Sequence, residues 1–415
     1  MSAIYSVLLT GSAHLSKILV GFVLLKLIAL YLGAEGVGVL GHFMSAVTIV
    51  TLLAGGGVVN GVIKYVAEYR GEPRKMLLFI SSAAFYSLAF CVIVLALGVF
   101  FSKSISVFLF RSEDFYWVVM LLAVAQLGFA FTNLVTGVCN GLGDTKGFAI
   151  IQIIGNLLAL PLAWFLIFHY EIAGAAIAII AVFFMGVFPG FYFYFKSSFF
   201  GRVKFSVVTR VELKKLSAFT VMLLASALTF PLVEMVVREF LIHNGGYAEA
   251  GLWQASIRLS AAYLGFFGVF LAYYFMPLIS PIADKKVIGQ YVRKFMLLVM
   301  VIFLIGASVF YVGRSFFIPA LLSSDFSRLE DLIVFQLIGD FFKISSYVIG
   351  FVGVAKAATK LYVSAELLQG LLFLGVALLI GSLLGGIKGV LIGYMLTYVI
   401  YFVLCTCAFV FWARR

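Results

Sequence analysis

Apolar stretches of about 20 residues follow one another along this chain with only short polar breaks between them, and that spacing leaves few ways to fold. Wound as an α-helix rising about 1.5 Å per residue, one such stretch crosses the roughly 30 Å hydrocarbon layer of a bilayer. A backbone inside hydrocarbon must satisfy its own N–H and C=O groups, which a helix does within one segment. The stretches fall at 12–30, 38–66, 77–99, 116–138, 148–168, 173–195, 216–240, 252–278, 294–312, 331–353, 362–383 and 389–411. Those longer than about 25 residues are accommodated by tilt or by a short cytoplasmic extension. The expected fold class is an all-α polytopic membrane protein of about twelve transmembrane helices. With 64% hydrophobic and only 11% charged residues, no soluble domain of useful size fits, since a water-exposed surface needs roughly a quarter of its residues charged.

The net charge of +12 would suggest nucleic acid in a soluble protein. Here it is loop charge that sets orientation, and no nucleic-acid partner is expected. If both termini are cytoplasmic, 18 basic residues lie on that side and five (Lys103, Arg111, Arg314, Arg328 and Lys388) on the other. The most basic stretch, Lys196 to Lys215, is expected to lie against anionic inner-leaflet lipids. It also divides the chain into an N-terminal six-helix lobe (1–196), a basic linker (197–215) and a C-terminal six-helix lobe (216–415). Internal echoes support that division. Gly33-Ala34-Glu35-Gly36-Val37-Gly38 is matched by Tyr247-Ala248-Glu249-Ala250-Gly251, and Thr145-Lys146 by Thr359-Lys360, at offsets of 213 to 214 residues. An even number of spans per repeat predicts two parallel lobes around a central cavity.

Six basic residues fall inside the runs: Lys17, Lys26, Lys64, Arg238, Arg258 and Lys343. A charge in the hydrocarbon is costly and ordinarily faces the bundle interior, although Lys17 and Lys64 can also snorkel to the interface. Lys26, Lys64, Arg238, Arg258 and Lys343 are the candidate ligands for an anionic headgroup. Among the acids, Glu234 and Arg238 stand four apart and Asp340 and Lys343 three apart, spacings that allow pairs along one helix face. Neutral pairing is one reading of these residues. The other is that Asp340, Glu234 or Glu366, the last without an obvious helical partner, couples substrate movement to a proton or other cation gradient. Gly55, Gly56 and Gly57 in the second run and Pro231 in the seventh are hinge candidates, with close packing as the alternative. Cys91, Cys139, Cys405 and Cys407 lack metal-site spacing, the four histidines do not cluster, and no nucleotide loop or catalytic constellation is present. The chain is therefore not expected to be an enzyme, and no cofactor or metal is expected.

Three stretches are more specific than hydropathy: the run Gly55-Gly56-Gly57-Val58-Val59-Asn60-Gly61 on to Lys64-Tyr65-Val66-Ala67-Glu68-Tyr69, then Gly251-Leu252-Trp253-Gln254, then Gln336-Leu337-Ile338-Gly339-Asp340-Phe341-Phe342-Lys343. In these the chain resembles the polysaccharide-lipid flippases of the multidrug, oligosaccharidyl-lipid and polysaccharide exporter superfamily. Within it the resemblance is to carriers of enterobacterial common antigen units, with O-antigen carriers as the alternative. It implies alternating access in a bacterial inner membrane and an undecaprenyl-pyrophosphate oligosaccharide as substrate. A polysaccharide polymerase and a chain-length regulator are the implied protein partners, and a membrane scaffold for such an assembly is the rival reading without transport. Lys64, Asp340 and Lys343 match the family pattern. Glu234 departs from it, which favours a structural role beside Arg238.

Overall fold

The computed structural model describes residues 3–199, 201–204, 208–356 and 358–414. Residues 200 and 205–207 of the basic linker, and Arg415, lie outside the described residues. The helices in chain order are α1 (Ala3–Leu53), α2 (Val59–Glu68), α3 (Pro73–Phe100), α4 (Ser102–Phe110), α5 (Tyr116–Leu142), α6 (Thr145–Phe184) and α7 (Val187–Lys196). They continue with α8 (Arg210–Phe270), α9 (Met276–Ile279), α10 (Lys285–Val312), α11 (Arg314–Leu321), α12 (Leu329–Ala355), α13 (Thr359–Leu384) and α14 (Gly386–Arg414). No strand occurs among the described residues.

Nine helical stretches among the described residues are long and apolar enough to cross a membrane. Three of these, Leu9–Glu68, Thr145–Lys196 and Leu228–Ile279, run to 60, 52 and 52 residues, about twice what one crossing needs. Between its two crossings each leaves the helical region at one residue, Gly33, Glu171 or Gly246, and the first is interrupted again at Ala54–Gly57. Divided at those three residues, the chain has the twelve spans read from its hydropathy. Gly33 (φ 64°, ψ −169°) and Gly246 (φ 82°, ψ −179°) stand 213 residues apart and share a conformation open in practice only to glycine. The internal echo is thus a structural repeat at this corner.

The chain forms two compact units whose borders do not follow the basic linker. One comprises Met1–Leu24 with His42–Pro231, the other Leu25–Gly41 with Leu232–Arg415. In the first, Val58, Val62 and Val66 pack on Phe79, Ile80, Ala83 and Leu216. Gly137 and Gly141 of α5 leave room for Val62 and Val66, the small-residue packing that lets membrane helices approach where lipid supplies no hydrophobic drive. Arg70 donates from Nε and a terminal nitrogen to the Gly141 carbonyl at 2.8 and 2.6 Å, closing the C-terminal end of α5, where unpaired carbonyls attract a cation.

In the second unit, Leu264, Phe267, Leu271 and Phe275 pack on Val299, Phe303, Ile344 and Val348. The ammonium of Lys356 caps the preceding chain end by donating to the carbonyls of Ile279, Ser280 and Ile282. The segment Leu25–Gly41 is seated here by a reciprocal contact. A Cβ on Gly38 would stand 2.0 Å from the Tyr247 carbonyl oxygen, and one on Gly251 would stand 1.7 Å from that of Ala34. Since 34 corresponds to 247 and 38 to 251 in the repeat, the two helices touch through equivalent atoms, as in a two-fold contact between identical surfaces.

Candidate functional site

A buried polar network lies in the second unit, around Asp340 of α12, which is wholly buried. Four donors from three helices surround its carboxylate. Ser260 and Tyr263 of α8 donate to Oδ2, the former at 2.5 Å, and Gln336 reaches the same oxygen at 3.5 Å from one turn earlier on α12. Tyr394 of α14 donates to Oδ1 at 2.6 Å. A carboxylate is kept in such surroundings only when its lone pairs are occupied. Lys343 lies one turn beyond and donates to the Tyr394 hydroxyl at 3.2 Å, with its ammonium 4.6 Å from the Tyr398 ring centroid. Tyr394 therefore joins Lys343 to Asp340: its hydroxyl accepts from the ammonium and donates to the carboxylate. The spacing of three suggested direct pairing, and the structure places a tyrosine in the path. Gln369 of α13 donates to the Tyr398 hydroxyl at 2.9 Å and extends the network to a fourth helix.

Ser260, Tyr263, Tyr394 and Gln369 are not singled out by the sequence, and Gln336 and Tyr398 stand there only as members of family-like stretches, without a site role. A signal was available, because Ser260 and Tyr263, Gln336 and Asp340, and Tyr394 and Tyr398 are polar pairs three or four apart within apolar runs, a spacing that marks one polar helix face.

The remaining candidates of this unit are placed differently. Arg238 is fully buried, donates to the Gln254 side chain and lies 5.7 Å over the Trp253 ring. A Cβ at Gly41 would meet its Nε at 2.4 Å, so glycine is required for the guanidinium to lie against that helix. The ammonium of Lys26 donates to the carbonyls of Pro319, at 3.0 Å, and Leu322, where it serves the C-terminal end of α11 as Lys356 serves another chain end. Arg258 is half-buried and forms no hydrogen bond or ion pair with the described residues. Glu234 is also half-buried. Glu366 accepts a hydrogen bond from Tyr362, one turn back on α13, at 3.4 Å, a partner that charge pairing alone does not reveal.

In the first unit the glycine run interrupts the second span. Ala54–Gly57 form a short 3-10 turn in which Gly55 and Gly56 have φ of 67° and 76°. The break frees carbonyls that polar side chains recover. Ser87 donates to the Gly55 oxygen at 3.1 Å and Thr220 to the Gly56 oxygen at 2.5 Å, with Tyr86 hydrogen-bonded to the Thr220 hydroxyl at 2.9 Å. The expected bend at 55–57 is thus a true interruption of the helix. At Pro231 the backbone stays helical, the one break within α8 being at Gly246; the border between the two units falls directly after this proline.

Beyond the break, Lys64 is exposed, with its ammonium 4.9 Å from the Tyr65 ring centroid. Lys215 lies 5.0 Å from the same ring, donates to the Tyr69 hydroxyl at 2.9 Å and pairs with Glu212 at 2.9 Å. The Tyr69 hydrogen bond and then the Glu212 carboxylate hold the Lys215 pKa above the ordinary lysine value, so it stays charged. No group of three or more His, Cys, Asp or Glu residues that could hold a metal ion occurs among the described residues.

The family described as polysaccharide biosynthesis protein matches residues 4–283. Two relatives, from Escherichia coli (strain K12) and Shigella flexneri, are each named lipid III flippase. Each is 31% identical over 431 aligned positions that cover 100% of both chains. Among solved structures, the lipid II flippase MurJ in an inward closed conformation superposes with a TM-score of 0.75 at 15% identity, covering 97% of this chain and 87% of its own. An inward-facing multidrug resistance transporter of the MATE family, in the MOP superfamily, gives 0.74 at 16% identity, covering 96% and 94%. At such identities the shared property is the fold.

Proposed function

Because the chain belongs to the polysaccharide biosynthesis protein family, we propose that it is a flippase that moves an undecaprenyl-pyrophosphate oligosaccharide, the lipid III type of substrate, between membrane leaflets by alternating access. The observation that carries this reading is the end-to-end identity with two lipid III flippases. No covalent bond has to break. The barrier is the transfer of a charged, hydroxyl-rich headgroup through hydrocarbon, and it falls when protein groups replace the lost water. Dispersed bases suit that task better than one tight clamp, because the ligand must also leave. Arg258 and Lys343, both in the second unit, are the bases we assign to the headgroup. Lys26 and Arg238 are committed to carbonyls and to Gln254, which favours a positioning role for both.

We assign coupling to the Asp340 network, with a proton or another cation as the driving species. When Asp340 takes up a proton, one of its hydroxyl partners must accept from the new O–H instead of donating, or turn away. Release of the Tyr394 hydroxyl would alter the Lys343 ammonium in the same event, tying an ion to a phosphate-binding base. We place the chain in the bacterial inner membrane with both termini cytoplasmic, on the distribution of basic loops, and its basic linker against anionic lipids. A polymerase and a chain-length regulator are the partners suited to receive the product.

The test is translocation of a fluorescent undecaprenyl-pyrophosphate oligosaccharide in proteoliposomes with and without an imposed pH gradient. Wild-type movement that Lys343→Ala abolishes in a folded protein supports the reading. Movement no faster than in protein-free vesicles, for every lipid-linked glycan tried, refutes it.

A further inference from the structure

We propose that Lys64, Tyr65, Tyr69, Glu212 and Lys215 form a binding site for a glycosyl phosphate, the junction at which a sugar is esterified to phosphate. The identity of the ligand rests on the flippase reading above. The geometry supplies donors for the phosphate. Lys64 makes no hydrogen bond or ion pair with the described residues, although Glu68 is one turn away on the same helix; its ammonium instead stands over Tyr65. Lys215 faces the same ring and places two of its three N–H groups on Tyr69 and Glu212, leaving the third. Each ammonium thus stands about 5 Å from the centre of that ring, and a diphosphate has oxygens enough to accept from either.

Glu212 distinguishes a sugar phosphate from a bare phosphate. Only 8% of the residue is exposed, and its Oε2 is buried without a hydrogen-bond partner among the described residues, a costly state for a charged acceptor. A phosphate cannot satisfy it, because both are anions. A sugar hydroxyl or acetamido N–H can. The Tyr65 and Tyr69 rings stack at 5.8 Å between centroids and offer apolar surface to the C–H face of a pyranose. The site is also connected to the broken span. Five residues beyond Lys215 on α8, Thr220 holds the Gly56 carbonyl, so a ligand that draws on Lys215 acts on the helix that secures the Gly55–Gly57 interruption.

The experiment measures binding to the purified full-length protein by calorimetry, using citronellyl diphosphate, citronellyl-diphospho-N-acetylglucosamine and a short-chain phosphatidylglycerol. Wild type is expected to prefer the sugar-bearing diphosphate by about tenfold, roughly what one charge-assisted hydrogen bond supplies. Lys64→Gln should weaken both diphosphates by about tenfold. Glu212→Gln should erase the preference for the sugar while tightening the plain diphosphate, because the carboxylate that repels it is gone, a split that a merely structural role would not produce. Melting curves matching wild type qualify each variant, and Tyr69→Phe provides a second route to the Lys215 side if either fails to fold. Unchanged affinities in the variants overturn the proposal, as does phosphatidylglycerol that binds and competes equally well, which would make this a phospholipid site. Wild-type flipping, measured in parallel, separates the two ideas. Normal flipping with unaltered variant binding removes this site alone, whereas wild type that neither flips nor binds any prenyl-diphosphate glycan removes the flippase reading itself.

Discussion

Gly251→Ala adds one methyl group at the point where the two repeats touch. The new carbon would lie 1.7 Å from the Ala34 carbonyl oxygen, 2.7 Å from its carbon and 3.0 Å from the Gly38 nitrogen. All three are helix backbone atoms, so no side-chain rotation relieves the clash, and the helices must separate by about 1.5 Å to restore van der Waals distance. Around the contact, Val37, Leu40, Leu252 and Ala255 are buried to within 2%. A gap of even 0.5–1 Å forfeits roughly a quarter to a half of each dispersion contact, and in a membrane dispersion is most of what holds helices together. The expected cost is about 3 kcal/mol, the upper part of the range for overpacking. Thermal unfolding of the purified protein in detergent measures it, with Gly268→Ala as the control. Gly268 is on the same helix, with nothing within 4 Å of its added carbon, so alanine there should be neutral or stabilising by up to about 1 kcal/mol. If Gly251→Ala melts with wild type, or the two alanines behave alike, the reciprocal backbone contact is not what seats residues 25–41.

Three further outcomes follow from the polar contacts. Thr220→Val keeps the shape but deprives the Gly56 carbonyl and the Tyr86 hydroxyl of their partner, and should destabilise by about 1–3 kcal/mol in the same melting assay, with faster hydrogen exchange around residues 54–57. Tyr394→Phe removes a hydroxyl shared by Asp340 and Lys343; under an imposed pH gradient the gradient-dependent part of transport should fall at least about tenfold, while binding of the lipid-linked glycan changes less. Lys26→Met leaves the Pro319 and Leu322 carbonyls without their ammonium and should cost about 1–3 kcal/mol. If that variant instead loses only substrate affinity, Lys26 belongs to the headgroup site after all.

The number of spans, their breaks and the sense of the repeat are legible in the sequence because each is a local property. Hydropathy over about 20 residues fixes a crossing, and a glycine able to adopt positive φ fixes where it ends, so Gly33, Gly246 and the run at Gly55 carry their meaning without neighbours. The list of charged residues in the runs was equally available, as was their default orientation away from lipid. What each charge touches was not. Periodicity says which face of a helix a side chain occupies, but a partner 80 or 300 residues away is set by packing. Only the tertiary structure gives Asp340 its hydroxyl donors from α8 and α14, spends Lys26 on carbonyls of α11, folds Arg238 against Gly41, and carries residues 25–41 into the unit that begins again at Leu232. The physical reason is that a buried polar group takes whichever partner the packed helices bring within about 3 Å, and that distance is a property of the whole assembly rather than of any one segment.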